Sequence, residues 1–385
     1  MSIKVRGYAA QSDSSPLAPF EFERREVRSN DVEIDIEYCG VCHSDLHQAK
    51  NDWGWSHYPM VPGHEIVGRV RRVGAGVSKF KAGDLVGVGC MVDSCQHCHP
   101  CEQGLEQYCE NGNVQTYNDT DRFGDNLPTY GGYSDTIVVT EKFVVRVPEN
   151  LDTQAVAPLL CAGITTYSPL KHWNVQKGSK VAVVGLGGLG HMALKLAHAM
   201  GAETTLFTRS AGKEADALSL GADKVVLSTD EAQMQAVANY FDVIIDTVPY
   251  SHDLNPYINT LALDGALVLV GLVGDLESTL STVPLILGRR SVTGSVVPNS
   301  SAATSGTSSA GSMTSTDSPP PACKGAARND RKSARDNRRR IGKSRIKGGR
   351  TLRCDQFARL NESQGAAATR GAWSGQPHQR NGENR

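Results

Sequence analysis

No apolar run in this 385-residue chain is long enough to span a bilayer, and the opening MSIKVRGYAAQSDSS lacks the apolar core of a signal peptide. An excess of one charge is missing too: 40 Lys+Arg against 41 Asp+Glu leave a net charge of −1. That balance excludes a global field holding the chain on nucleic acid or a membrane. With no secretory feature, the expected compartment is the reducing cytoplasm. The length suffices for two domains.

The even balance hides a break. Val296–Arg385 holds 17 Lys+Arg and 6 Asp+Glu, leaving 23 and 35 before it, so a tail of +11 follows a body of −12. Beyond Pro298 large apolar residues are few. Such a segment buries too little apolar surface to offset its ordering entropy, which predicts a disordered, low-complexity basic tail over 298–385. Blocks such as RNDRKSARDNRRR bind phosphate backbones non-specifically. No aromatic residues interleave with that block, so no specific nucleic-acid partner is expected.

What is present begins with cysteine. Four of the ten, Cys95, Cys98, Cys101 and Cys109, stand in DSCQHCHPCEQGLEQYC with the spacing C-x2-C-x2-C-x7-C. Four thiolates this close can surround one Zn2+ tetrahedrally with no position left for water, the closed geometry of a structural site. Disulfides or buried thiols are the plainer alternative, disfavoured in a chain with no secretory character.

Residues 1–154 carry short strand patterns broken by Gly and Pro. VEIDIEYCG, IVGRVRRVG, GDLVGVGC and YSDTIVVT alternate or cluster apolar residues as strands do. A β-rich, partly barrel-like domain follows. From 155 to 297 strands alternate with helices: KVAVVGLGGLG, HMALKLAHAMGA, TTLFT, KEADALSLGA, KVVL, FDVIIDTV, GALVLVG and a sixth strand in SVTGSVV. That order implies an α/β domain with an open, doubly wound parallel sheet.

Gly185-Leu186-Gly187-Gly188-Leu189-Gly190 is G-x-G-x-x-G between a predicted strand and a predicted helix, the context that makes it a dinucleotide fingerprint. Gly185 permits the turn, Gly187 lets the backbone approach a pyrophosphate, and Gly190 lets helix and strand pack closely. The next strand ends in Thr208-Arg209-Ser210 with Lys213 one turn on, and no acid precedes Glu214. An acid there would bind the 2′-hydroxyl of NAD, whereas Arg209, Ser210 and Lys213 suit the 2′-phosphate of NADP. The plainer reading of Arg209 and Lys213 is a solvated helix start.

Candidate ligands for a second metal stand in GVCHSDLH (40–47), PGHEIVG (62–68) and LLCAGITTYSPL (159–170). Their Cys and His suit zinc, but spacing does not show that the segments meet. Taken in order with the four-cysteine loop and VVGLGGLGHMALKLA, these strings resemble the zinc-dependent medium-chain alcohol dehydrogenases. Within that family they most resemble the cinnamyl-alcohol-dehydrogenase-like aldehyde reductases, over about Ile3 to Ser295.

The resemblance implies a GroES-like catalytic domain plus a Rossmann domain. It assigns a catalytic zinc to Cys42, His64 and Cys161, with Glu65 as fourth or alternating ligand and Asp45 behind a ligating histidine. It implies a proton relay from Ser44 through the cofactor ribose to His47. Thr165 would pack near the nicotinamide; His43 would lie at the pyrophosphate or serve the fold; Cys39 and Cys90 fit no ligand pattern and read as core thiols. The implied reaction moves hydride between NADP(H) and a primary alcohol or aldehyde, with zinc polarising the carbonyl oxygen. Trp53, Trp55 and Tyr117 either wall the substrate or simply pack their loops.

After the sixth strand the family pattern stops. Gly311–Thr316, read across codon boundaries, can encode a string resembling the family's continuation, which suggests a shifted reading frame. The second functional reading follows: a zinc- and nucleotide-binding protein whose catalysis is lost or weak. The family's homodimer, built on the sixth strand, is likewise put in doubt by that strand's abnormal neighbourhood.

Overall fold

The computed structural model describes residues 2–299 and the backbone of Thr351–Leu352. The expected disordered tail therefore lies outside the described residues, apart from Pro298, Asn299 and that short strand. The chain divides into two units: residues to Asp93 with Val114–Pro158 and Thr351–Leu352, and Ser94–Asn113 with the chain from Leu159.

The first unit is antiparallel. Strands β1 (Ile3–Ala9) and β2 (Ala18–Arg24) form a hairpin. β3 (Asp31–Gly40) pairs with β4 (Ile66–Val73), and β4 with β5 (Leu85–Val88). β6 (Met91–Asp93) pairs with β7 (Val114–Gln115). β8 (Thr136–Thr140) joins β3, and β9 (Val144–Arg146) joins β5. Val32, Ile34, Ile66, Val70, Val86, Val88, Ile137 and Phe143 make the core. β3 ends at Gly40 and a helix, His43–Ala49, begins just beyond it, so the short link carries Cys42 and the helix carries Ser44, Asp45 and His47.

In the second unit a six-stranded sheet is parallel throughout. Its strands are β10 (Lys180–Val184), β11 (Glu203–Thr208), β12 (Lys224–Leu227), β13 (Phe241–Asp246), β14 (Leu261–Leu269) and β15 (Ser291–Gly294), in the order β12-β11-β10-β13-β14-β15. That is the doubly wound arrangement, with its switch point between β10 and β13. β10 shows why its sequence is apolar at every position after Lys180. Val181 and Val183 face one apolar layer, with Ala193, Leu194 and Ala197 of the helix Gly188–Ala199. Ala182 and Val184 face the other, with Phe207, Phe241 and Tyr257. A strand covered on both faces has no polar alternation to show. Finally β16 (Thr351–Leu352) pairs antiparallel with β3 at Cys39–Gly40.

Candidate functional site

Cys42 is the N-cap of the helix His43–Ala49, and Asp45 closes a capping box on it. The Asp45 carboxylate is buried, and four donors converge on it. The Cys42 N–H and the Tyr133 hydroxyl donate to Oδ2, each at 3.0 Å; the Gly63 N–H (2.9 Å) and His64 Nδ1–H (3.0 Å) donate to Oδ1. Burial works against the charge of Asp45, but His64 and the two backbone N–H groups outweigh it and hold its pKa below the ordinary carboxylate value. Burial lowers the pKa of His64, but the Asp45 charge outweighs it and holds the ring well above its ordinary value; with Nδ1 facing the carboxylate, Nε2 is the nitrogen that a metal would take in place of a proton.

Cys42, His64 and Glu65 each offer a ligand atom within 4.8 Å of the others. Glu65 is buried, and its carboxyl is pushed well above the usual range, first by burial and then by the negative charge of Cys42. A cation between the Glu65 carboxyl and the Cys42 sulfur would favour the ionised form of both and offset that rise. Sulfur, imidazole and carboxylate together form a donor set that fits zinc. A Cβ at Gly40 would overlap the Glu65 carboxylate, so glycine there makes room for it. Cys39 and Cys90 are buried thiols, and Cys90 lies near enough for its charge to act on His64 and Glu65.

Around this group, the Ser44 hydroxyl lies 3.6 Å from Cys42 Sγ. His47 Nδ1 meets Asp52 Oδ2 at 2.8 Å. Rings then follow one another: His43 to His47 at 6.1 Å, His47 to Trp53 at 5.3 Å, Trp53 to Trp55 at 5.5 Å. Trp55 is 53% exposed, whereas Tyr117 is buried and stacked on His64 at 5.7 Å.

In the second unit the four-cysteine loop is a cluster of its own. Cys95 Sγ lies 3.9 Å from Cys101 Sγ, and Cys98 Sγ 3.9 Å from Cys109 Sγ. Four sulfurs about 2.3 Å from one tetrahedral zinc stand about 3.8 Å apart, whereas a disulfide brings two to about 2 Å. The spacing fits the metal, and none of the eight described cysteines is in a disulfide. The N–H groups of Cys98 and Glu110 point at Cys95 and Cys98 sulfurs, both at 3.4 Å. Such donors stabilise thiolate charge.

The glycine turn sits at the end of β10. Gly185 has φ +87°, and its N–H donates to the Phe207 carbonyl at 3.0 Å. A Cβ at Gly190 would overlap the Gly185 carbonyl oxygen, while a Cβ at Gly187 or Gly188 would meet nothing within 4 Å. The space above the turn is open, and the helix Gly188–Ala199 starts there with no side-chain cap on its N–H groups. That combination is built for an anion. Thr208 ends β11 buried, and Arg209, Ser210 and Lys213 follow exposed, with no carboxylate among them. Cys161 is buried as the N-cap of the helix Ala162–His172, and the Thr165 N–H donates to its carbonyl at 2.9 Å.

Sequence reasoning missed two side chains. Tyr133 completes the shell of Asp45, but a tyrosine in YGGYSD carries no motif. Asp52 holds His47, yet one loop acid among 41 acidic residues gives no signal.

The chain matches two family models, an alcohol dehydrogenase GroES-like domain over residues 28–149 and a zinc-binding dehydrogenase over 188–309. It is 53% identical over 289 residues to a protein of Bacillus subtilis named probable formaldehyde dehydrogenase AdhA, covering 74% of this chain and 82% of that one. It is 51% identical to the NADP-dependent alcohol dehydrogenase C 1 of Mycolicibacterium smegmatis, covering 76% and 83%. Among solved structures, a cinnamyl alcohol dehydrogenase from Helicobacter pylori in complex with NADP(H) superposes with a TM-score of 0.71 at 47% identity, over 78% of this chain and 85% of that one.

Proposed function

The chain belongs to the zinc-dependent medium-chain alcohol dehydrogenases of the cinnamyl-alcohol-dehydrogenase-like group, and within it we propose an aldehyde reductase that prefers NADPH to NADH. The observation that carries the preference is the end of β11: Arg209, Ser210 and Lys213 stand exposed where a carboxylate would be needed for NAD. The names of the relatives favour turnover over mere binding of zinc and nucleotide. The test is kcat/KM for NADPH against NADH with one aldehyde. The unmutated chain is expected to favour NADPH at least tenfold, about 1.4 kcal/mol, and Arg209→Gly to lose most of that margin. Equal use of both cofactors by the unmutated chain contradicts the reading.

When bound, zinc supplies Lewis acidity toward a carbonyl oxygen and NADPH supplies the hydride. Cys42 and His64 would hold the metal, with Glu65 as the fourth or alternating ligand. Cys161 would join them: it follows Pro158, the last residue of the first unit, by three positions, which about 10 Å of chain can span. Asp45 fixes the His64 ring by accepting its Nδ1 proton. Ser44 would hand a proton from its hydroxyl to the product oxygen, and His47, steadied by Asp52, would return one from solvent. Cys95, Cys98, Cys101 and Cys109 would hold the structural ion. Thr165 would pack beside the nicotinamide.

The Trp53 and Trp55 rings support a preference for aromatic aldehydes. Trp53→Ala should shift relative rates toward short aldehydes; unchanged ratios would reduce the two rings to loop packing. A second copy of the chain would cover the helix Val283–Gly288 beside the sheet-edge strand β15, where Ile286 and Leu287 are 73% and 80% exposed. Sizing should then give a dimer for the chain and a monomer for Leu287→Asp; a monomeric unmutated chain refutes it. A cluster of four free thiols fits a reducing cytoplasm, the compartment we propose, and we read a catalytic domain over residues 1–154 and a nucleotide domain over 155–297.

A further inference from the structure

A buried ion pair at the edge of the nucleotide crevice belongs to neither metal site. Asp246 ends β13, is fully buried, and lies opposite Val184, the residue before the glycine turn. Its Oδ1 accepts from the Val248 N–H at 3.0 Å, and its Oδ2 faces His252 Nε2 at 2.9 Å. The other ring nitrogen, Nδ1, faces the Tyr250 carbonyl at 2.9 Å. Both nitrogens therefore face acceptors. A neutral imidazole donates from only one nitrogen, so this geometry favours the imidazolium. Its side chain is 17% exposed, and it closes the loop from Asp246 to His252 on itself.

The loop is also tied to the nucleotide side of the sheet. Thr247 Oγ1–H donates to the Val184 carbonyl at 2.7 Å. The His252 ring meets Tyr257 edge-on at 6.0 Å, and Tyr257 meets Phe207 at 5.4 Å, two residues before Arg209. In the middle of this clamped loop stands Tyr250, its carbonyl held and the residue 56% exposed. In an open parallel sheet, ligands bind beyond the carboxyl ends of the strands at the switch point, where this loop begins.

We propose that His252, clamped by Asp246, is a positioning residue of the nucleotide site, holding the loop so that the Tyr250 ring stacks on the adenosine end of NADP(H). The inference rests on the NADP(H) reading above. His252 does not touch the ligand, since both its N–H groups are spent inside the loop. Its pKa is raised, first by the hydrogen bond to Asp246, against burial, with the Tyr250 carbonyl and the charges of Asp246 and Asp253 adding to the rise. Tyr257 is the further titratable group packed on the ring. A raised pKa means the clamp is complete at low pH and is lost as pH rises through the folded value.

The test is the Kd for NADPH, followed by cofactor fluorescence on the full chain, with kcat at saturating NADPH alongside. Tyr250→Ala should raise Kd about tenfold, the size of one lost base stack, while Tyr250→Phe should not. His252→Gln should raise Kd similarly and leave kcat unchanged. The rise of Kd with increasing pH should be present in the unmutated chain and absent in His252→Gln. An exposed ring can be removed without unfolding the chain, so Tyr250→Ala decides even if His252→Gln is unstable. Unmutated affinity in Tyr250→Ala overturns the proposal and leaves the NADP(H) reading intact. No NADPH binding by the unmutated chain overturns both.

Discussion

Asp45 shows how much of a site can hang on a residue that is not a ligand. Its carboxylate takes four donors, two of them backbone N–H groups at and beside the proposed ligands Cys42 and His64. An amide in its place keeps the shape but offers one acceptor oxygen and turns an NH2 toward donors. Asp45→Asn should cost on the order of 3 kcal/mol and release the zinc of the first unit, lowering zinc from two ions per chain to one. Two ions per variant chain by metal analysis would contradict that role. Since the pKa of Asp45 is depressed from 3.8, its contribution is present above that value and is lost as pH falls below it through the folded pKa. Asp52→Ala makes the contrast: both ions stay, and kcat should fall because His47 loses its acceptor.

At the scale of elements, the strand–turn–helix around Gly185–Gly190 was legible because three glycines and an apolar strand are required together. Gly190→Ala should lower stability by about 1–3 kcal/mol, because its Cβ overlaps backbone that cannot step aside. Gly188→Ala has open space and should keep stability while weakening NADPH. Equal melting temperatures for the two variants would refute the packing argument. Strands β3, β4, β5, β8 and β10 to β15 were readable for a similar reason: each is a run of apolar or alternating residues bounded by Gly, Pro or charge. The β1–β2 hairpin was not. β2 reads APFEFER, half-buried at every second residue, without the full burial that marks a core strand. The helix Ala162–His172 escaped notice because Gly163, two Thr and an internal Pro169 disguise it. The ligand types were legible, but their meeting was not. His64 reaches Cys42 through the Asp45 carboxylate in the first turn of the helix that Cys42 caps, and the His64–Asp45 contact spans 19 residues, which no local period announces.

For the whole molecule, the two halves of the chemistry rest on different physics. The first unit concentrates buried charge that needs a cation. In the second, the glycine turn keeps backbone N–H groups and exposed cations for an anion, beside a four-sulfur cage that stabilises its loop through a metal. The reading to be tested is that the chain reduces aldehydes with zinc and NADPH together. The most direct measurement is aldehyde-dependent oxidation of NADPH by the full-length protein, before and after treatment with a zinc chelator. Turnover that the chelator abolishes and added zinc restores is expected. Loss of NADPH absorbance that ignores the chelator, or none at all in a protein that holds zinc and NADPH, would contradict it.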